Sequence, residues 1–482
     1  MKQFKPGFTA IVFVILLAGT VLLAQEEDAS KKTYRLVSSR QSGSVDLVEK
    51  SFDAAGTLQL ELDPDSLVSK SSPGNEEKKN AKDSSKEAES AKEPVIQSIP
   101  MKVTSRQSYE EMLIQAGNLL QGENAKSTLG AWYFLENETG IKIGESEAKP
   151  ELNLNQPLIG VDIKGAQVNF FRQDGFLTRD ELDLVNVQGN TLLLDHILPN
   201  KSVKVGDSWK QSPDTMALLL QLDLVFNLDI QTTLSEVKKN VAILETKGWI
   251  EGSCEGSTSK INVTGKAFFD VTRGRILWFG MVIEEKRTAG YVTPGMDVTA
   301  KVQYKIKPLD ESKNLTSDAT SKLTFDEAQY GLILFEDPGD AWKFVLTPDW
   351  EPMNQNKYQS NFRLLREGEL VAQCTVAKVQ TPKISQNMKP DEFANEVKEM
   401  LKDNFQSILD VKTLKSADGS DVYRVDVAAK YEGLDLRYIC YLITQKDAKE
   451  PKQYTMIFTL EDELLEKFSD ANEQMIQSFS WK

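Results

Sequence analysis

Between Leu224 and Pro308 the chain runs through five stretches of β-prone sequence, 224–234, 240–252, 258–271, 275–288 and 296–307, with only short turns between them. Connections this short join sequential strands antiparallel. Arg273-Gly274, between FFDVT and RILWF, is a hairpin signal. Five long strands in succession make a meander, and a meander must cover one apolar face. Two helical stretches upstream can supply the cover. Thr178-Arg-Asp-Glu181 fits a capping box and opens a helix near 179–186. Ser212-Pro213-Asp214 places an N-cap, a proline at the first helical position and an acid near the positive helix end. MALLLQL at 216–222 then continues the helix, apolar nearly all round as in a deeply buried element.

The flanking segments extend this β-rich region to residues 31–308. Tyr34–Leu62 reads as strands, with Leu58, Leu60 and Leu62 at period two. Strand signals resume at Ile96–Thr104 and Gly130–Leu135. Between them, residues 71–94 hold no aromatic and no β-branched side chain, so the tract cannot offset its chain entropy by burial. It is expected to be a disordered insertion within one domain. Leu309–Asp326 is polar without an apolar period and is expected to be a linker.

The remainder, 327–482, has a different grammar. Short strands and hairpin turns alternate with two helices, Pro390–Phe405 and Glu461–Ile476, the first carrying Phe393, Val397, Met400, Leu401 and Phe405 at helical spacing. That order is α+β with an antiparallel sheet. WKFVLTPDW from Trp342, DEFANEVKEML from Asp391 and FSDANEQMIQSFSW from Phe468 make Leu332–Lys482 similar to the Mog1/PsbP-like fold, also seen in the DcrB and LpqN type of bacterial envelope protein. The resemblance implies an α/β sandwich of a mostly non-catalytic binding or assembly kind, with no shared catalytic residue. The β-rich part, through LPNKSVKVGDSW from Leu198, resembles uncharacterised bacterial exported domains. The expected fold class is therefore α+β. A curved antiparallel meander with covering helices precedes a Mog1/PsbP-like domain.

The N-terminus sets the compartment. Lys2 and Lys5 precede the apolar run Phe8–Ala24, and QEEDAS follows it. These are the three parts of a secretory signal. Residues 1–24 are expected to be a signal peptide, with an uncleaved anchor as the alternative because Leu22 is large for the cleavage frame. The protein is expected in the periplasm or outside the cell. Membrane contact is expected only through a retained N-terminal segment.

Composition excludes several functions. The chain of 482 residues has a formal net charge of −15, poor for nucleic acid. A single histidine, His196, removes His-cluster metal sites and makes Ser-His-Asp chemistry improbable. No cofactor is expected. Cys374 and Cys440 lie in strands of one domain and are candidates for a disulfide, or for two buried thiols. Glu336-Asp-Pro-Gly-Asp340 can offer oxygens to calcium but is also a plain turn. Leu219, Trp249, Trp278 and Phe279 can line an apolar cleft or fill a core. The expected function is non-catalytic binding or scaffolding toward an unknown protein or cell-envelope partner. The alternatives are a carrier of an apolar ligand such as a lipid, and a carboxylate hydrolase.

Overall fold

The computed structural model describes residues 32–62, 95–119, 124–326, 330–379, 388–445 and 452–482. The export segment 8–24 and the polar tract 71–94 lie outside the described residues. The protein is β-rich, with antiparallel sheets and few helices.

The first half contains β1 (Thr33–Leu36), β2 (Val45–Leu62), β3 (Val95–Gln115), β4 (Thr128–Ile143), β5 (Ser146–Ala148), β6 (Leu158–Lys164), β7 (Gln167–Phe171) and β8 (Leu177–Thr178). After helix α1 (Arg179–Val185) come β9 (Lys201–Lys204), β10 (Ser208–Lys210) and helix α2 (Pro213–Leu220). Five long strands follow: β11 (Leu224–Lys238), β12 (Val241–Cys254), β13 (Ser257–Asp270), β14 (Arg275–Arg287) and β15 (Gly295–Leu309). One sheet runs β10-β11-β12-β13-β14-β15-β2-β3-β4-β6-β7, with β5 added beside β4. The last long strand therefore closes onto the first, Leu309 opposite Val45 and Gly295 opposite Gln59.

Both helices start where their caps place them. In α1, Thr178 Oγ1 accepts from the Glu181 amide at 3.3 Å and the Glu181 carboxylate accepts from the Thr178 amide at 3.0 Å. In α2, Ser212 Oγ accepts from the Thr215 amide at 3.1 Å, and Gln221 ends the helix at φ 59°. Met216, Leu218, Leu219 and Leu220 are buried against the sheet core. Residues 309–326 pack on the same half: Leu315 and Leu323 are buried with Val45, Ala131 and Phe171.

The second half contains β16 (Ile333–Glu336), β17 (Trp342–Leu346), β18 (Trp350–Asn356), β19 (Gln359–Arg366), β20 (Glu369–Lys378), α3 (Pro390–Leu401), β21 (Phe405–Lys415), β22 (Asp421–Tyr431), β23 (Leu434–Thr444) and β24 (Gln453–Glu461). It ends with α4 (Leu465–Phe468), α5 (Glu473–Ser478) and β25 (Ser480–Trp481). Seven strands form a sheet of order β18-β19-β20-β24-β23-β22-β21. The amphipathic stripe of α3 (Phe393, Ala394, Val397 and Leu401) covers one face over Val425, Val427 and Leu442. The single helix expected over 461–476 is broken. Ser469 sits at φ 51°, and the short helices on either side of it bury Phe468 and Met475.

The halves are joined by a ladder. In the four-stranded sheet β25-β17-β16-β8, Leu177 of the first half lies parallel to Ile333 of the second. One apolar core continues from the long sheet through Ile333, Phe335 and Trp342.

Candidate functional site

Two concave features bear on function, and α1 forms a wall of both. The first is a cleft of about 1250 Å³ at the junction of the halves. Its near wall is β6–β7, α1 and Asp223; its far wall is Thr347–Asp349, Glu351 and the β19–β20 turn. Arg179, the first residue of α1, reaches across. It bonds Glu351 at 2.6 Å and Asp183, one turn along, at 3.1 Å. Burial, with repulsion from Glu255 and Asp183, pushes the Glu351 carboxyl up to about 7 against the pull of Arg179. Burial also raises Asp183 and Asp223 above their ordinary range. Gly256, at φ 75°, lets the β12–β13 turn approach the opposite half closely: a Cβ there would lie 2.7 Å from the Gly368 carbonyl.

The capping residue Glu181 has a second task at the same joint. Arg172 donates to both its oxygens, at 2.8 and 2.7 Å. Burial works against the carboxylate, yet the bonds from Arg172, Thr178 and Asn153 hold it below its ordinary value. The start of α1, which carries Arg179, is thereby fixed.

The second feature lies on the covered face of the long sheet. Side chains alternate along strands, so Val48, Lys50, Phe52 and Ala54 of β2 share that face. They stand opposite Tyr109, Gln107, Ser105 and Val103 of β3. Asn137, Thr139 and Ile141 of β4 continue the rows. Phe52, Val103 and Ile141, with Leu184 of α1 and Val187 just after it, line a largely apolar slot of about 380 Å³ whose lining also includes Lys149, Asp180 and Asp183. Ser105 and Thr139 supply its two hydroxyls, 2.9 Å apart. One row deeper, Lys50 is only 5% exposed and donates to Gln107 Oε1 at 2.9 Å. Burial pulls its ammonium down to about 7.

The four residues proposed for an apolar cleft do not meet in one. Leu219 and Phe279 are core residues on the covered side. Trp249 is 42% exposed, and Trp278 lies across Gly280 against Phe268, on the outer face. Trp278 and Phe279 are consecutive in a strand, so their side chains must point to opposite faces. The candidate disulfide is corrected as well. Cys374 and Cys440 are free, buried thiols. Cys374 stands opposite Phe458 and Cys440 opposite Ile457, on either side of β24. An intervening strand and opposite faces separate the sulfurs beyond disulfide reach.

At the Glu336–Asp340 loop, Lys482 pairs with both Glu336, at 3.0 Å, and Asp340, at 2.8 Å. Among the described residues no cluster of three His, Cys, Asp or Glu could hold a metal. His196 lies in a 3₁₀ turn, its basicity lowered by burial.

The second half is an α+β domain built on an antiparallel sheet with one amphipathic helix across it. Residues 330–481 match the PsbP family model, so the chain carries a PsbP-family domain at its C-terminal end. That is the resemblance carried by WKFVLTPDW and FSDANEQMIQSFSW. Two solved structures align with part of the chain. A protein of unknown function from Pseudomonas aeruginosa is 16% identical, covers 30% of this chain and 94% of its own, and has a TM-score of 0.22. LpqN, involved in cell envelope biogenesis of Mycobacterium tuberculosis, is 11% identical, covers 36% of this chain and 99% of its own, and has a TM-score of 0.23. No curated protein matches the sequence.

Proposed function

We propose that the protein is an exported, non-catalytic binding protein of the cell envelope, docking a partner in the cleft between its two halves. The observation that carries this reading is the cleft itself, about 1250 Å³, with walls from both halves and a half-buried ion pair, Arg179–Glu351, spanning it. Concave sites between structural units are preferred binding places. The signal-like N-terminus supports export, and among the described residues no helix is long and apolar enough to cross a membrane. The long sheet acts as the platform that holds α1.

The test is a photocrosslinking residue placed at Ala166, on the cleft wall, and at Thr264, on the outer sheet face, in cells that express the protein natively. Discrete envelope-protein adducts at Ala166 alone are expected. Adducts at neither position, or equal adducts at both, would contradict the reading. Sequencing the N-terminus of the purified protein tests cleavage after Ala24.

A second reading, carriage of an apolar ligand, is favoured by a specific observation: the slot beneath α1 is lined by Phe52, Val103, Ile141 and Leu184 rather than filled. Carboxylate hydrolysis has less support. Asp183 and Glu351, two cleft carboxylates with raised pKa, share one guanidinium. That arrangement suits a joint better than an acid–base pair.

A further inference from the structure

The slot beneath α1 has a polar end. Ser105 Oγ and Thr139 Oγ1, in its lining, are 2.9 Å apart. Thr139 Oγ1 donates to Asn137 Oδ1 at 3.5 Å, and Gln107 Nε2 donates to the same oxygen at 2.9 Å. Gln107 Nε2 also donates to the carbonyl of Leu184, a slot residue, at 3.0 Å. Gln107 Oε1 accepts from Lys50 Nζ. A hydrogen-bonded chain thus leads from the slot to a buried ammonium.

That ammonium lacks a counter-charge. An ammonium has three donors. Among the described residues, Gln107 is the acceptor that Lys50 reaches, and no carboxylate stands within ion-pair distance. Tyr304, opposite Lys50 on β15, donates its hydroxyl to the Gln188 carbonyl instead. Glu111, farther along the same face of β3, is engaged by Arg40 at 2.5 Å. A buried cation without a partner is costly, and an incoming anion would remove the cost.

We propose that the slot binds a single-chain carboxylate of the fatty-acid class. Its chain lies along Phe52, Val103 and Ile141, and its head group meets Ser105 and Thr139, with Lys50 one row behind them. This rests on the carrier reading and adds the head-group chemistry to it. The volume of about 380 Å³ falls within the roughly 300–1,000 Å³ of ordinary ligand sites. The hydroxyls are the first contacts, and Lys50 supplies the charge behind them, linked through Gln107 and Asn137.

The experiment is calorimetric titration of the full chain with dodecanoate and, separately, with dodecanol. The wild type is expected to bind one dodecanoate, at least tenfold tighter than dodecanol. Lys50→Met should remove that preference and leave dodecanol within twofold. Val103→Trp should block both. Thr139→Val, which keeps the side-chain shape, should weaken dodecanoate alone and serves if Lys50→Met fails to fold. Equal affinity for acid and alcohol in the wild type, or an unchanged preference in either Lys50→Met or Thr139→Val, would overturn the head-group assignment. Binding of neither probe would overturn the carrier reading itself.

Discussion

The two halves bury their cores in contrasting ways. The C-terminal core is dominated by aromatic side chains. Trp342 stacks on Phe344 with centroids 5.1 Å apart and planes 5° apart, and Phe335, Phe362 and Phe479 close around them. The covered face of the N-terminal sheet instead carries charge. Glu111 accepts from Arg40 at 2.5 Å and from Trp132 Nε1 at 2.7 Å, and it also accepts from Thr191. Asp46 accepts from Arg275 and pairs with Arg40 at 3.3 Å. Farther along the same face comes Lys50, which has no such match. A closed aromatic core builds a rigid unit. A polar-lined face that ends in an open slot suits a unit that takes something in. On the carrier reading proposed above, small-ligand binding would fall to the N-terminal half.

The largest effects should come from breaking each core by its own weakness. Trp342→Ala removes the centre of the aromatic stack and should cost about 3–5 kcal/mol, as for other buried aromatic truncations. Glu111→Ala leaves Arg40, Trp132 and Thr191 short of their acceptor and should cost a similar ~3–5 kcal/mol, by desolvation rather than by a cavity. Leu219→Ala should cost about 2–5 kcal/mol. Urea unfolding measures all three. A Glu111→Ala cost under about 1 kcal/mol would mean the charged core contributes nothing.

The comparison sharpens if the halves are separated. We propose that Thr324–Lys482 folds alone, and its thermal unfolding should be cooperative. It should melt below the full chain, because β16 loses the Leu177–Thr178 ladder. A broad transition would show that the C-terminal core needs its neighbour.

A smaller effect is expected from pH at the joint. Glu351 has a folded-state pKa of about 7, above its unfolded value. Its contribution to stability is therefore fully present below the unfolded value and is lost as pH rises through about 7. Between pH 4.5 and 8 the wild type should lose about 1–3 kcal/mol relative to Glu351→Gln. Lys50 titrates near the same pH in both proteins and cancels in the difference. A difference that grows in the opposite direction would show that Arg179 outweighs burial.

The smallest effects belong to features that neither core uses. Trp249→Ala, on the outer face, should change stability by no more than about 0.5 kcal/mol. Added reductant should leave the melting temperature unchanged, since the cysteines are free. A reductant-sensitive melting curve would reveal a bond that the register of β20, β24 and β23 forbids.

Much of the local structure was legible because its signals are local. Thr178 with Glu181, Ser212 with Pro213, and the hairpin glycine Gly274 all act within a few residues. The site was less legible because it depends on register. Phe52, Ser105 and Thr139 come together only once β2, β3 and β4 are aligned, and a bulge at Ser108/Tyr109 shifts that alignment. The choice between a disulfide and two buried thiols stayed open for the same reason, since nothing local says that β24 lies between the two strands. Two signals could have been used. Lys50 falls between Val48 and Phe52 at period two, which puts a lysine on an apolar face. Trp278 and Phe279, being adjacent, could never have shared a cleft. The break falls at Ser469-Asp470, residue types that are disfavoured in helix interiors.

The claim that the N-terminal half is the ligand-binding unit is tested most directly by hydrogen exchange of the full chain with and without dodecanoate. The account predicts slowed amide exchange in residues 101–105, 139–143 and 180–187, the segments that carry most of the slot's lining, with 330–481 unchanged. Slowing confined to 330–481, or no slowing anywhere, would contradict it.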